Sequence, residues 1–171
     1  MNVKILTACL LFTCLNSISA QTTGQINQSD SKGRKQGHWI RKYPDGNVMY
    51  DGIFRDDNPT GEFKRYYENS GLKSVLIFDN TGREASAVLY YQNGLPASRG
   101  KYVNQLKEGK WQYFSSTNKD VLISEAYYSG DKINGLSVKY YPDGTIAEKI
   151  NYKNVIILKI EYNIYKDNYS I

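Results

Sequence analysis

The sequence predicts an all-β protein: an elongated antiparallel sheet of tandem β-hairpins, repeating about every 24 residues. Three observations predict it. Gly37, Gly61, Ala85, Gly109 and Gly135 open five similar segments, separated by 24, 24, 24 and 26 residues. Phe54, Phe78, Tyr102, Tyr128 and Tyr152 recur with the same spacing. Between these two sets, most segments carry a short turn such as Pro-Asp-Gly or Gln-Asn-Gly.

Residues 1–20 read as a secretory signal peptide. Lys4 precedes an apolar run from Ile5 to Leu15, and Asn16 to Ala20 supplies small residues for cleavage after Ala20. The run is too short for a membrane-spanning helix, which needs about 20 residues. A short uncleaved anchor is the rival reading. Cys9 and Cys14 both fall in this segment, so the remaining chain would have neither a disulfide nor a thiol. Residues 21–36, rich in Gln, Ser, Thr, Asn and Gly, read as a flexible polar linker. Residues 37–171 then form one repeat domain, with the sheet's curvature left open.

Each unit reads as a hairpin. In the first, Gly37 to Lys42 leads into Tyr43-Pro44-Asp45-Gly46, and the chain returns through Asn47 to Phe54. Glu68-Asn69-Ser70-Gly71, Gln92-Asn93-Gly94 and Pro142-Asp143-Gly144 mark the same place in the second, third and fifth units. Glycine is expected to take the left-handed position in a hairpin with a bulge. Looser connections are expected at Arg55 to Thr60, Asp79 to Gly82, Asn104 to Glu108 and Ser129 to Asn134. The fourth unit turns through Ser115 to Asp120 without glycine and holds the two extra residues, which predicts a protruding loop. From Ile156 to Tyr165, apolar residues at even positions predict a strand that caps the array.

Alternation along a strand separates the side chains into two faces. Trp39, Phe63, Ala87, Trp111 and Ser137 stand two places after each opening residue. Lys42, Tyr66, Tyr90, Phe114 and Tyr140 stand five places after it, on the other face. One aromatic row packs as core, and the second packs on its strand partners or forms a ladder that grips a partner. The five fifth-position residues are therefore the candidate binding residues.

The Gly-x-Trp/Phe openings, the Tyr-x-x-Gly turns and the period near 24 resemble the MORN-repeat family from Gly37 to Asn154. The resemblance is closest to the degenerate bacterial variant often labelled as an antitoxin component. It implies a scaffold or binding module, and the antitoxin label implies neutralisation of a partner. The export signal departs from the usual cytoplasmic setting.

Little in the sequence argues for catalysis. With one histidine, His38, and cysteines only at 9 and 14, neither a Cys–His nucleophile nor a zinc site is expected. Asp56, Asp57 and Asn58, or Asp79 and Asn80, lack the spacing of a calcium loop and read as turn residues. No cofactor is expected. The formal net charge of +5, or +4 without Lys4, is interspersed with acids, unlike the clustered basic face of a nucleic-acid binder. Nothing in the sequence supports membrane-surface association. The expected function is an exported, non-enzymatic protein-binding or scaffolding module with a protein partner. An antitoxin or immunity-like protein and an envelope enzyme acting on glycans are the alternatives.

Overall fold

The computed structural model describes residues 25–153 and 156–162, the latter as backbone. The predicted signal peptide, residues 1–20, lies outside them. So do residues 163–165 of the predicted cap.

Twelve strands follow one another. β1 (Gln28–Ser29), β2 (Lys35–Lys42), β3 (Val48–Arg55) and β4 (Asn58–Tyr66) come first. β5 (Leu72–Phe78), β6 (Glu84–Tyr90), β7 (Pro96–Val103) and β8 (Leu106–Phe114) form the middle. β9 (Leu122–Ser129), β10 (Lys132–Tyr140), β11 (Ile146–Lys153) and β12 (Ile156–Tyr162) complete the array. They pair strictly in chain order, each antiparallel to the next, in one open sheet. Among the described residues there is no helix and no second layer.

The hairpin turns form as the sequence indicates. The Tyr43 amide donates to the Asn47 carbonyl, the Gly46 amide donates to Tyr43, and Gly46 takes φ +91°. Each such turn is accompanied by a register slip, as between Arg41 and Lys42 or Leu89 and Tyr90. One detail differs: in the second unit Ser70 (φ 64°) takes the left-handed position instead of Gly71. Asn69 stabilises it by accepting the Gly71 amide on its side chain. The fourth-unit loop is held by the Ser115 hydroxyl, which accepts the Thr117 and Asn118 amides.

Three of the four other connections are tighter than expected, while residues 79–83 form a loop as expected. Asp56 with Asp57, Asn104 with Gln105, and Gly130 with Asp131 are two-residue turns with both φ positive. That backbone twist matches the twist of the flanking strands. Asn58-Pro59-Thr60, Leu106-Lys107-Glu108 and Lys132-Ile133-Asn134 are consequently strand residues.

Of the expected flexible linker at 21–36, the described residues 25–36 are paired and bonded instead, and 21–24 lie outside the described residues. Residues 28–29 pair with 35–36, and the Arg34 guanidinium bridges Asp30 (2.6 Å) and Asp56 (2.9 Å). Hydrogen bonding to Arg34 holds the Asp30 carboxyl down to about 2. Asn27 completes the arrangement: its amide donates to the His38 carbonyl, and its side-chain oxygen accepts the Ile40 amide, both at 2.8 Å. This segment covers part of an edge that would otherwise present unpaired backbone groups. It is an N-terminal cap, and the array begins at Lys35.

Candidate functional site

Register converts the repeat into continuous rows across the sheet. One row runs Trp39, Gly52, Phe63, Leu76, Ala87, Gly100, each directly opposite the next, and continues past a register slip at Gly100 through Trp111, Ala126, Ser137 and Ile150. It is complementary in size. Phe63 covers Gly52 and Trp111 covers Gly100, where an added Cβ would come within 2.1 and 2.3 Å of the rings. Where the covering residue is Ala87, its partner is the larger Leu76. Trp111 is fully buried, and its indole donates to the Lys101 carbonyl at 3.1 Å.

Flanking rings extend this aromatic face. Phe54 meets Phe63 edge-on at 5.6 Å, Phe63 meets Phe78 at 6.1 Å, and Tyr102 meets Trp111 at 4.9 Å. Lys35 lies within 4.8–5.6 Å of the Trp39, Tyr50 and Phe54 ring centres. Lys107 repeats this over Trp111, Tyr113 and Tyr128. Burial first, then the hydrogen bond with Tyr113, pushes the Tyr128 phenol up to about 12.

Between Phe63 and Trp111 the central row contains only Leu76, Ala87 and Gly100. Over Leu76 lies a groove of about 580 Å³, walled by Phe54, Phe78, Leu89 and Tyr102. Lys35, Arg65, Lys73 and Arg83 also line it.

The opposite face is mixed, with ion pairs beside exposed Ile53, Ile77, Ile123 and Tyr127. Its central row runs Ile40, Asp51, Lys64, Val75, Val88, Arg99, Gln112, Glu125, Val138, Lys149. His38 meets Asp51 at 2.7 Å, Lys64 meets Glu62 at 2.5 Å, and Lys110 meets Glu125 at 2.7 Å. Burial pushes the Glu125 carboxyl up, but hydrogen bonds from Lys110, Tyr140 and Gln112 outweigh it and leave the carboxyl below its ordinary value.

The fifth-position residues fall on this second surface, with mixed exposure. Lys42 is exposed, whereas Tyr66, Tyr90 and Tyr140 are half-buried. Burial and a hydrogen bond to Glu125 raise the Tyr140 phenol. Phe114 is only 8% exposed, beneath the Arg99 guanidinium at 5.2 Å, so its ring is not part of an exposed ladder. The row's more consistent role is carried by its backbone. Tyr43, Tyr67 and Tyr91 donate their hydroxyls to the carbonyls of Tyr66, Tyr90 and Phe114, at 2.8, 2.6 and 3.0 Å.

Among the described residues, no group of three or more His, Cys, Asp or Glu side chains is placed to hold a metal ion. The acids weighed for calcium are engaged locally. Asp57 accepts the Lys35 amide at 2.8 Å, and Asp79 accepts the amides of Thr81 and Arg83 within its own turn. The sequence does not reveal the groove cations as a set: Lys35 falls in the expected linker, and Arg83, two repeats on, lies beside the expected connection at Asp79 to Gly82.

Residues 59–80 and 133–154 match the family model described as the MORN repeat variant. These two segments are similar to MORN repeats. Both matched segments start two residues before an opening glycine, which is the frame the strands show. MORN repeats commonly serve as protein-binding or scaffolding modules, and the family is generally non-enzymatic. No curated protein sequence matches the chain. A solved structure titled "Crystal Structure of TarM" is similar over 56% of this chain and 20% of its own, with 10% identity and a TM-score of 0.39.

Proposed function

We propose that this protein is an exported, non-enzymatic module that binds a protein partner on its aromatic face. The observation that carries the reading is the uncovered groove in that face, floored by Leu76 and walled by half-buried rings. Concave, largely apolar surfaces with a few polar groups at the margin are where ligands settle. The opposite face satisfies many of its own charges and offers less unmet chemistry. Export rests on the leader-like residues 1–20.

The test compares partners captured from the native cell envelope by the wild type, by Leu89→Trp, and by a Tyr66→Ala/Tyr90→Ala/Tyr140→Ala variant. Circular dichroism establishes that each remains folded. A partner lost with Leu89→Trp and kept by the triple variant supports the reading. Loss with the triple variant alone moves the interface to the opposite face. Identical capture by all three sinks it. Fractionation of cells expressing the full chain, with and without residues 1–20, tests export.

A further inference from the structure

We propose that the groove takes an acidic peptide segment of the partner, anchored by one bulky apolar side chain. The inference rests on the protein-binding reading above and adds the chemistry of the ligand.

Charge is the deciding observation. Lys35, Arg65, Lys73 and Arg83 line the groove, and among the described residues none has a carboxylate oxygen within 4 Å of its side-chain nitrogens. Three of them rest on rings instead: Lys35 over Phe54 at 4.8 Å, Arg65 over Phe63 at 5.9 Å and Lys73 over Tyr67 at 5.4 Å. Elsewhere in the sheet several lysines are neutralised, although Lys107 also rests on rings. Lys64, Lys101 and Lys110 each hold a carboxylate at 2.5–2.7 Å. The one acid that lines the groove, Asp57, already accepts the Lys35 amide.

A cation held over a ring face keeps its N–H groups available at the ring's margin, so an arriving carboxylate adds an ion pair without displacing the ring. The apolar anchor sits on Leu76 and Leu89, between the Phe54, Phe78 and Tyr102 rings. Carboxylates on both sides of an anchor match cations on the rim of an apolar floor.

The probe is a fluorescein-labelled EELFEE peptide, titrated with the full chain and followed by anisotropy. KKLFKK and EESSEE peptides are the controls. EELFEE binds, KKLFKK does not, and EESSEE binds about tenfold more weakly because it lacks the anchor. Arg65→Glu with Arg83→Glu weakens EELFEE about tenfold or more, and so does raising salt from about 0.05 to 0.5 M. Both arginines are exposed, and Lys73→Glu serves as a second charge variant. Leu89→Trp abolishes binding without altering charge.

Failure of EELFEE to bind overturns the proposal, as does equal affinity for KKLFKK or for the charge-reversed chain. Preference for phosphatidylglycerol vesicles over EELFEE, with the same dependence on Arg65 and Arg83, also overturns it. If EELFEE fails while Leu89→Trp still loses the captured partner, the acidic assignment falls and the protein-binding reading stands.

Discussion

The Tyr67 hydroxyl donates to the Tyr90 carbonyl at 2.6 Å, across 23 residues of sequence. Tyr43 and Tyr91 make the same bond to the units that follow them. The tyrosine that opens each of the first three hairpin turns is thus an inter-unit staple, adding a side-chain tie where the strand ladder slips register. In a repeat array, coupling between neighbours provides much of the cooperativity. The fourth unit has Ser115 at this position, and its hydroxyl holds its own loop instead.

Removing one staple should weaken one junction. Tyr67→Phe keeps the ring and deletes the donor, at an expected cost of about 1 kcal/mol in urea unfolding. Tyr43→Phe and Tyr91→Phe should behave alike, whereas Tyr127→Phe, whose exposed ring makes no such bond, should be near neutral. A Tyr67→Phe variant as stable as wild type would show that the hydroxyl is satisfied equally well by water.

The glycine beneath Trp111 is required for space. A Cβ on Gly100 would lie 2.3 Å from the indole, so Gly100→Ala should cost about 1–3 kcal/mol through overpacking. Trp111→Ala should cost about 3–5 kcal/mol on its own. In the Trp111→Ala background, Gly100→Ala should become neutral or slightly stabilising, because the clash is gone and the backbone loses less entropy. A double-mutant cycle measures this coupling. Equal costs in the two backgrounds would remove the steric explanation.

The hairpins were legible because turn chemistry is local. Tyr-Pro-Asp-Gly dictates its own backbone, and the period places the next turn. The aromatic row through Trp39, Phe63 and Trp111 was legible from alternation. Three things were not. The pairing of Lys101 with Glu84, 2.5 Å apart, depends on the register between β6 and β7, and composition carries no record of it. The cap at 25–36 looks like a polar tether until the β2 edge is in place for Asn27 to hydrogen-bond. The groove depends on register, because its walls Phe54, Phe78, Leu89 and Tyr102 come from four different strands.

The bulge at Gly61 makes a different demand from that at Gly100. Gly61 has φ +63° and nothing within 4 Å of an added Cβ, so its requirement is conformational. Gly61→Ala should cost about 1–2 kcal/mol, and Gly61→Asn distinctly less, because asparagine tolerates the left-handed region. The third unit explains why Ala85 is allowed: its ladder runs without a slip from Ser74–Leu89 to Phe78–Ala85. Equal losses for Ala and Asn in denaturant titrations would refute the conformational account.

Stability should decline in strong alkali through Tyr128. Its folded-state phenol titrates at about 12, above the unfolded value near 10, so the fold favours the neutral form. The resulting stabilisation is complete below about pH 10 and is lost as pH rises through 12. Burial is the main cause, assisted by the 2.8 Å hydroxyl–hydroxyl bond shared with Tyr113, while the nearby Lys107 charge pulls the other way. Tyr128→Phe cannot ionise there, so its thermal midpoint should fall less between pH 10 and 12 than that of wild type. A phenolate difference spectrum between the two proteins assigns the titration. Parallel midpoint curves would show that the alkaline loss comes from elsewhere, with the lysines over the rings as the next groups to test.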